Sequence, residues 1–404
     1  MTRTDTGRRY ELDWLRTLAF ALLILYHIGM YYVADWGWHI KSEQTFKGLQ
    51  DLMILTNPWR MSLLFLLSGM ALSLVLPRIS RWKLFRLRST RLLIPLLFTM
   101  FVVVVPQVYY EALSQQLIQP GYLQFWWQYI NPVTDLLPEH HSPIGLLTWN
   151  HAWFIPYLWC YSLLVLLFYP VLNAISQVHW LQQLQGHYAL ATAFGLMFWA
   201  WWTLSADFPS THALVDDWYN HAKYFLVFIA GFLLARQDMW WQQLVKNRRL
   251  WLCLALLCYS LTIAERHDLF DYYSGPTHSK TLHNTLFGSV LVLNHWLWLF
   301  AVLGYAGAYL KNTNGPLLRY CNDAVLPWYI LHQTLIILFA SWLKPLAIPA
   351  IAEFPLLLIL TVAACWLGYE VIRCITLLRW CFGLGRVRKK TSCSESLQGA
   401  VSLR

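Results

Sequence analysis

The chain has 404 residues, 58% of them hydrophobic and only 12% charged, with a formal net charge of +10 and a mean hydropathy of +0.42. Soluble globular chains carry roughly 25% charged residues, so this one has too few charges to cover a soluble surface. The composition excludes an ordinary soluble enzyme and predicts an all-α, polytopic transmembrane helix bundle. Apolar runs near the bilayer-spanning length of about 20 residues recur along the whole chain. They predict about ten spans, at 13–34, 53–77, 92–112, 152–174, 188–204, 219–235, 250–264, 285–310, 323–343 and 354–377. No cleavable signal peptide is expected, because the first apolar run is too long for one.

The loops orient these spans. Arg3, Arg8 and Arg9 precede the first, and Arg78, Arg81, Lys83, Arg86, Arg88 and Arg91 follow the second with no acid among them. Arg236, Lys246, Arg248 and Arg249 follow the sixth, whereas 113–151 and 205–218 contain no Lys or Arg. Positive charge stays on the cytoplasmic side, so both termini are expected there. The net charge then reflects orientation and contact with anionic lipid headgroups rather than a nucleic-acid partner. One membrane domain, 1–390, and a polar cytoplasmic tail, 391–404, complete the expected organisation. The eight cysteines form no C-x-x-C pair, and neither a disulfide framework nor a metal site is expected.

Ionisable side chains inside a bilayer are costly and tend to mark function. The first span opens ELDWLRTLAFALLILYH. Arg16 and His27 are close to three helical turns apart and share a face, separated by roughly 16 Å along the axis. Asp13 lies one turn before Arg16 and can pair with it. His27 falls about 20 Å from the cytoplasmic end, past the expected midplane. In the second span, NPWRMSLLFLLSGM, Arg60 reaches a similar depth about 12 Å from the outer end, with Ser68 and Gly69 deeper. Small residues there let helices approach closely. The run ending in RLLIP places Arg86, Arg88 and Arg91 where they suit either an orientation signal or bidentate phosphate binding.

Further along, His151 and Trp153 mark the outer mouth of the fourth span. Asn294 and His295 lie within the eighth, and His332 within the ninth. Glu370, in the tenth, is one turn from Arg373 and can pair with it. Taken singly, Arg16 and Arg60 read as interface anchors whose charged heads reach for water, and His27 reads as a core histidine. Together they form a polar track across the membrane. Such a track suits a transporter or proton-coupled flippase, or an enzyme joining an inner donor to an outer acceptor. No internal repeat of the kind many transporters show is evident.

The ordered set LDWLR, WRMSLLFLLSGM, RLLIPLL, HAWFIPYL and YILHQT resembles the integral-membrane acyltransferase type 3 family over nearly the whole chain. Within it, the glucans biosynthesis protein C group, periplasmic glucan succinyltransferases, is the most similar. The resemblance implies Arg16 and His27 as the functional pair, with Asp13 supporting Arg16. Arg60, Ser68, Trp153, Tyr329, His332 and Glu370 match recurrent positions. Leu331-His332-Gln333 departs from the two adjacent histidines frequent in that group. Also implied are a cytoplasmic acyl-CoA co-substrate (succinyl-CoA or acetyl-CoA), no tightly bound cofactor, a glycan acceptor and residence in a bacterial cytoplasmic membrane. His27 would serve as general base or transient acyl carrier, with Arg60 beside it as the oxyanion's cation. Arg16 would hold the donor or fix the helix through Asp13; Arg86, Arg88 and Arg91 suit the donor's phosphates, and His151 and Trp153 are counted with them among the substrate-binding residues.

Overall fold

The first helix, α1 (Tyr10–Tyr32), opens with Glu11 and Asp13 in its first turn, where carboxylates complement unpaired backbone N–H groups. Its far end is closed by Lys41, whose ammonium donates to the carbonyls of Met30 and Trp36 at 2.8 and 2.9 Å and also to that of Val33. The computed structural model describes residues 9–138, 141–142, 144–178, 186–270 and 280–385, and the predicted tail lies outside them.

A short α2 (Gly48–Ile54) leads into α3 (Asn57–Val75), which carries Pro58 in its first turn, where the missing N–H costs nothing. Every residue of α3 from Trp59 to Leu67 is buried, so this is the central helix, apolar on all sides because it meets protein on all sides. Next comes α4 (Arg81–Phe98), capped by the Ser80 hydroxyl, which accepts from the Lys83 N–H at 3.3 Å. A π-turn over Thr99–Val103 joins it to α5 (Val105–Ser114). Pro95 and Pro106 flank the break, and each removes a helical N–H donor. The predicted span 92–112 is therefore part of one longer interrupted segment, 81–114.

The chain continues through α6 (Tyr122–Tyr129), a single 3₁₀ turn at Asn150–Trp153, and α7 (Phe154–Gln177). After these come α8 (Gly186–Leu204), α9 (Trp218–Leu234), α10 (Asp238–Lys246), α11 (Arg248–Arg266) and α12 (Lys280–Tyr309). The last helices are α13 (Pro316–Leu343), α14 (Ala350–Cys374) and α15 (Thr376–Cys381). Among the described residues there is no strand, only two isolated bridges.

Seven of the described segments are long and apolar enough to cross a membrane: those built on α1, α3, α4–α5, α7, α12, α13 and α14. The other three predicted spans also form helices, α8, α9 and α11, but fall short of that standard. Helix α9 has 17 residues and includes Lys223. Charged Arg248, Arg249, Glu265 and Arg266 bound α11, and α8 is rich in tryptophan, whose amphipathic ring suits the interface better than the hydrocarbon.

Helix α9 packs along α3 at backbone contact. A methyl group on Gly69 would strike the Phe228 carbonyl, and one on Gly231 would strike the Leu66 carbonyl. The close approach expected of Gly69 is thus real and reciprocal, and small residues are what permit it. Helix α13 packs between α1 and α14, which brings residues 316–343 against the first helix.

Candidate active site

His27 lines a cavity enclosed by α1, α3, α9, α13, the 150–153 turn and the 205–217 loop. Its Nδ1 lies 2.8 Å from Nε2 of His332 on α13, with the ring planes inclined by 25°. The partners decide the tautomers. Nδ1 of His332 faces only acceptors, the carbonyls of Tyr329 at 2.7 Å and Trp328 at 3.2 Å, so it carries the proton. In a neutral ring the Nε2 is then the acceptor. It receives the His27 Nδ1–H, which leaves the His27 Nε2 lone pair free. No described residue hydrogen-bonds that nitrogen, and it belongs to the cavity wall.

A satisfied polar belt holds the dyad from behind. His151 donates from Nε2 to the Ile330 carbonyl at 3.0 Å and accepts at Nδ1 from the Gln107 amide at 3.1 Å. The same amide donates to Thr334 at 2.7 Å, and Thr334 donates to the Val103 carbonyl at 2.7 Å. That carbonyl is available because the helix is broken at Pro106 and the Gln107 N–H turns to Val104 instead. Gln333 donates to Gln107 and to His39 Nε2 at 3.1 and 3.0 Å, and His39 Nδ1 lies 2.5 Å from Glu111. Tyr329 donates its hydroxyl to the His151 carbonyl at 2.5 Å. Gln333, directly after His332, is thus an amide that bridges two other polar groups. Asn150, which starts the turn, has a positive φ of 40°, a conformation that asparagine tolerates better than most residues.

The cavity beside His27 measures about 390 Å³. Arg60 is buried in its wall with the guanidinium 3.5 Å from the Tyr26 ring centroid, and its Nε has no hydrogen-bond partner. Trp153, Tyr224, Tyr329 and Lys223 complete the wall with Ser210 and His212 of the loop. Asp217 anchors that loop. It is fully buried and accepts from the Tyr157 hydroxyl, the Thr211 N–H at 3.1 Å and the Asn220 amide at 3.1 Å. Burial opposes ionisation of Asp217, but these hydrogen bonds outweigh it and hold the carboxyl below its ordinary value.

A second cavity, of about 550 Å³, lies toward the N-terminal end of α1 and is lined by Arg9, Asp13, Arg16, Ser68, Arg78 and Arg88 among others. Asp13 holds Arg16 at 2.7 Å, and the Ser68 hydroxyl turns back to the Leu64 carbonyl of its own helix. Phe20 lines this cavity and Tyr329 the first, with ring centroids 5.4 Å apart.

The structure therefore brings His27, Arg60, His151, Trp153 and Tyr329 to one cavity, with His332 directly behind, and Asp13, Arg16, Ser68 and Arg88 to the other. Arg86 and Arg91 are exposed and line neither. Glu370 also stands apart, bonded by Tyr320 at 2.6 Å and paired with Arg373 at 2.8 Å. Asn294 and His295 are buried on α12 outside both cavities. The sequence reading missed Lys223, Ser210, His212, Gln107, His39 and Glu111. Gln107 had a signal, a polar residue directly after Pro106 in an apolar run. The loop residues had none, because only folding brings them over His27.

No curated protein and no solved structure matches the chain. A family model described as an acyltransferase domain does, over residues 9–370, a range that holds both cavities, the dyad and all five motifs. By that match the chain belongs to the acyltransferase type 3 family, and it is a multi-pass membrane acyltransferase.

Proposed function

We propose that the protein is a membrane O-acyltransferase that moves a succinyl or acetyl group from cytoplasmic acyl-CoA to a hydroxyl of a periplasmic or surface glycan, an osmoregulated glucan among the candidates. The observation that carries this reading is the free Nε2 of His27 in a cavity that also contains Arg60. A lone pair held in place by a partnered ring is what a general base requires.

In the proposed reaction His27 Nε2 takes the proton of the acceptor hydroxyl while its oxygen forms a bond to the thioester carbonyl carbon. The carbonyl π electrons move to oxygen, where Arg60 meets the charge. Collapse re-forms the carbonyl and breaks the C–S bond, and the imidazolium returns its proton to the departing thiolate. In the variant pathway His27 itself carries the acyl group between donor and acceptor. The basic cavity around Arg16, Arg78 and Arg88 suits the phosphates of the donor. The thioester arm would then pass the Phe20–Tyr329 contact to reach His27. The loop charges support ten spans with both termini cytoplasmic, α8, α9 and α11 completing the bundle, in a bacterial cytoplasmic membrane.

The test is purified protein in detergent, supplied with labelled succinyl- or acetyl-CoA and a glucan oligosaccharide. Label in the oligosaccharide supports the reading, and label trapped on His27 supports the carrier pathway. Absence of transfer, with solute flux in liposomes, would favour a transporter instead.

A further inference from the structure

Lys223 gives the cavity beside His27 a second cation. It projects from α9 into the same wall as Arg60, Ser210 and His212, with its ammonium 4.4 Å from the Tyr224 ring centroid and 5.5 Å from that of Tyr219. No carboxylate among the described residues forms an ion pair with Lys223 or Arg60. Asp217 is near enough to Lys223 to be felt electrostatically, but its oxygens are committed to Tyr157, Thr211 and Asn220. Arg60 is 3% exposed and its Nε is orphaned.

Removing a cation from water without a counter-charge is expensive. A buried Arg60 and a half-buried Lys223 in one cavity mark a place where a ligand supplies the negative charge. The reaction's oxyanion can engage Arg60, which lies nearer the dyad through Tyr26. It leaves Lys223, on the loop side, without a partner. The rings of Trp153 and Tyr224 give this part of the cavity an aromatic wall suited to the flat apolar face of a sugar.

We propose that the acceptor is acidic: a sugar seated against Trp153 and Tyr224, with its carboxylate or phosphate on Lys223 and a nearby hydroxyl presented to His27 Nε2. The inference deepens the acyl-transfer reading and rests on it. Lys223 acts as a specificity-determining residue.

The test is calorimetric binding to the detergent-solubilised full chain without donor. The probes are a neutral glucan oligosaccharide, the same oligosaccharide with a C6 carboxylate, and its 6-phosphate. The wild type should bind one acidic probe at least about tenfold tighter than the neutral one, a ratio equivalent to about 1.4 kcal/mol, and that probe identifies the anion. Lys223→Met should abolish the ratio, and Lys223→Arg should retain most of it. Melting temperatures of the variants close to wild type show that the fold is intact.

Equal binding of acidic and neutral probes by the wild type would overturn the proposal, as would no binding of either acidic probe or a preference that survives Lys223→Met. Acidic preference without label transfer would leave the anion site standing and remove the acyl-transfer reading.

Discussion

His27 Nδ1 stands 2.8 Å from His332 Nε2, although the two residues are 305 positions apart in the chain. His332 is held by two backbone carbonyls of its own helix, so it presents a fixed acceptor and thereby sets which nitrogen of His27 is free. His27→Ala should lower turnover about 10²–10⁴-fold and leave the detergent melting temperature near wild type. His332→Ala should lower kcat more than it raises KM, since it releases the tautomer rather than the substrate. Steady-state kinetics separate these outcomes, and a His332→Ala enzyme changed only in KM would remove the orienting role.

Arg60 is buried over Tyr26 with an unpartnered Nε. If it meets the oxyanion, Arg60→Met should cost about 10²–10³ in kcat. Arg60→Lys should recover only part of that, because an ammonium neither stacks on Tyr26 nor offers the same planar donors. Full recovery by lysine would mean that charge alone matters at this position.

The contact of α3 with α9 leaves no room for a methyl group at Gly69 or Gly231. Gly231→Ala should therefore destabilise the protein by about 1–3 kcal/mol, the usual cost of overpacking. Thermal melts in detergent measure it. Gly37→Ala, in open space, serves as the control and should melt like the wild type.

The 205–217 loop should loosen in acid. Burial pushes His212 down from 6.5 to about 4. With the folded value below the unfolded one, the unfolded loop takes up the proton first. The contribution of His212 is therefore complete above pH 6.5 and is lost as pH falls towards 4. Asp217, also held below its ordinary 3.8, adds a further loss only in stronger acid. Hydrogen exchange of the 210–217 amides should speed up between pH 7 and pH 5 in the wild type. The same rate at both pH values, after correction for intrinsic exchange, would exclude the His212 effect.

Legibility in the sequence followed physical range. Asp13 and Arg16 are three residues apart on one helix, so their pairing could be read directly. The same holds for Glu370 and Arg373, which form the ion pair their spacing allows. Arg86 and Arg91 lie in the basic run that suited either orientation or phosphate binding, yet on helix α4 they are exposed, and helical phase alone did not reveal which face would meet the protein. Lys223, one charge in a helix of 17 residues, carries no local pattern that marks it as facing a cavity.

What the sequence determined by itself was the solvent and the material: apolar runs of bilayer length, broken by few charges, have no stable form other than membrane-embedded helices. It also determined that His27 and Arg16 share a face, because 3.6 residues per turn leaves no alternative. Only the tertiary structure decided that His332 stands behind His27, that the Pro106 break feeds a carbonyl to the belt around Gln107, and that the loop after α8 covers the cavity. Those relationships join segments far apart in the chain, and they depend on which helices pack together, a choice made by the shapes of whole helix faces rather than by any local pattern.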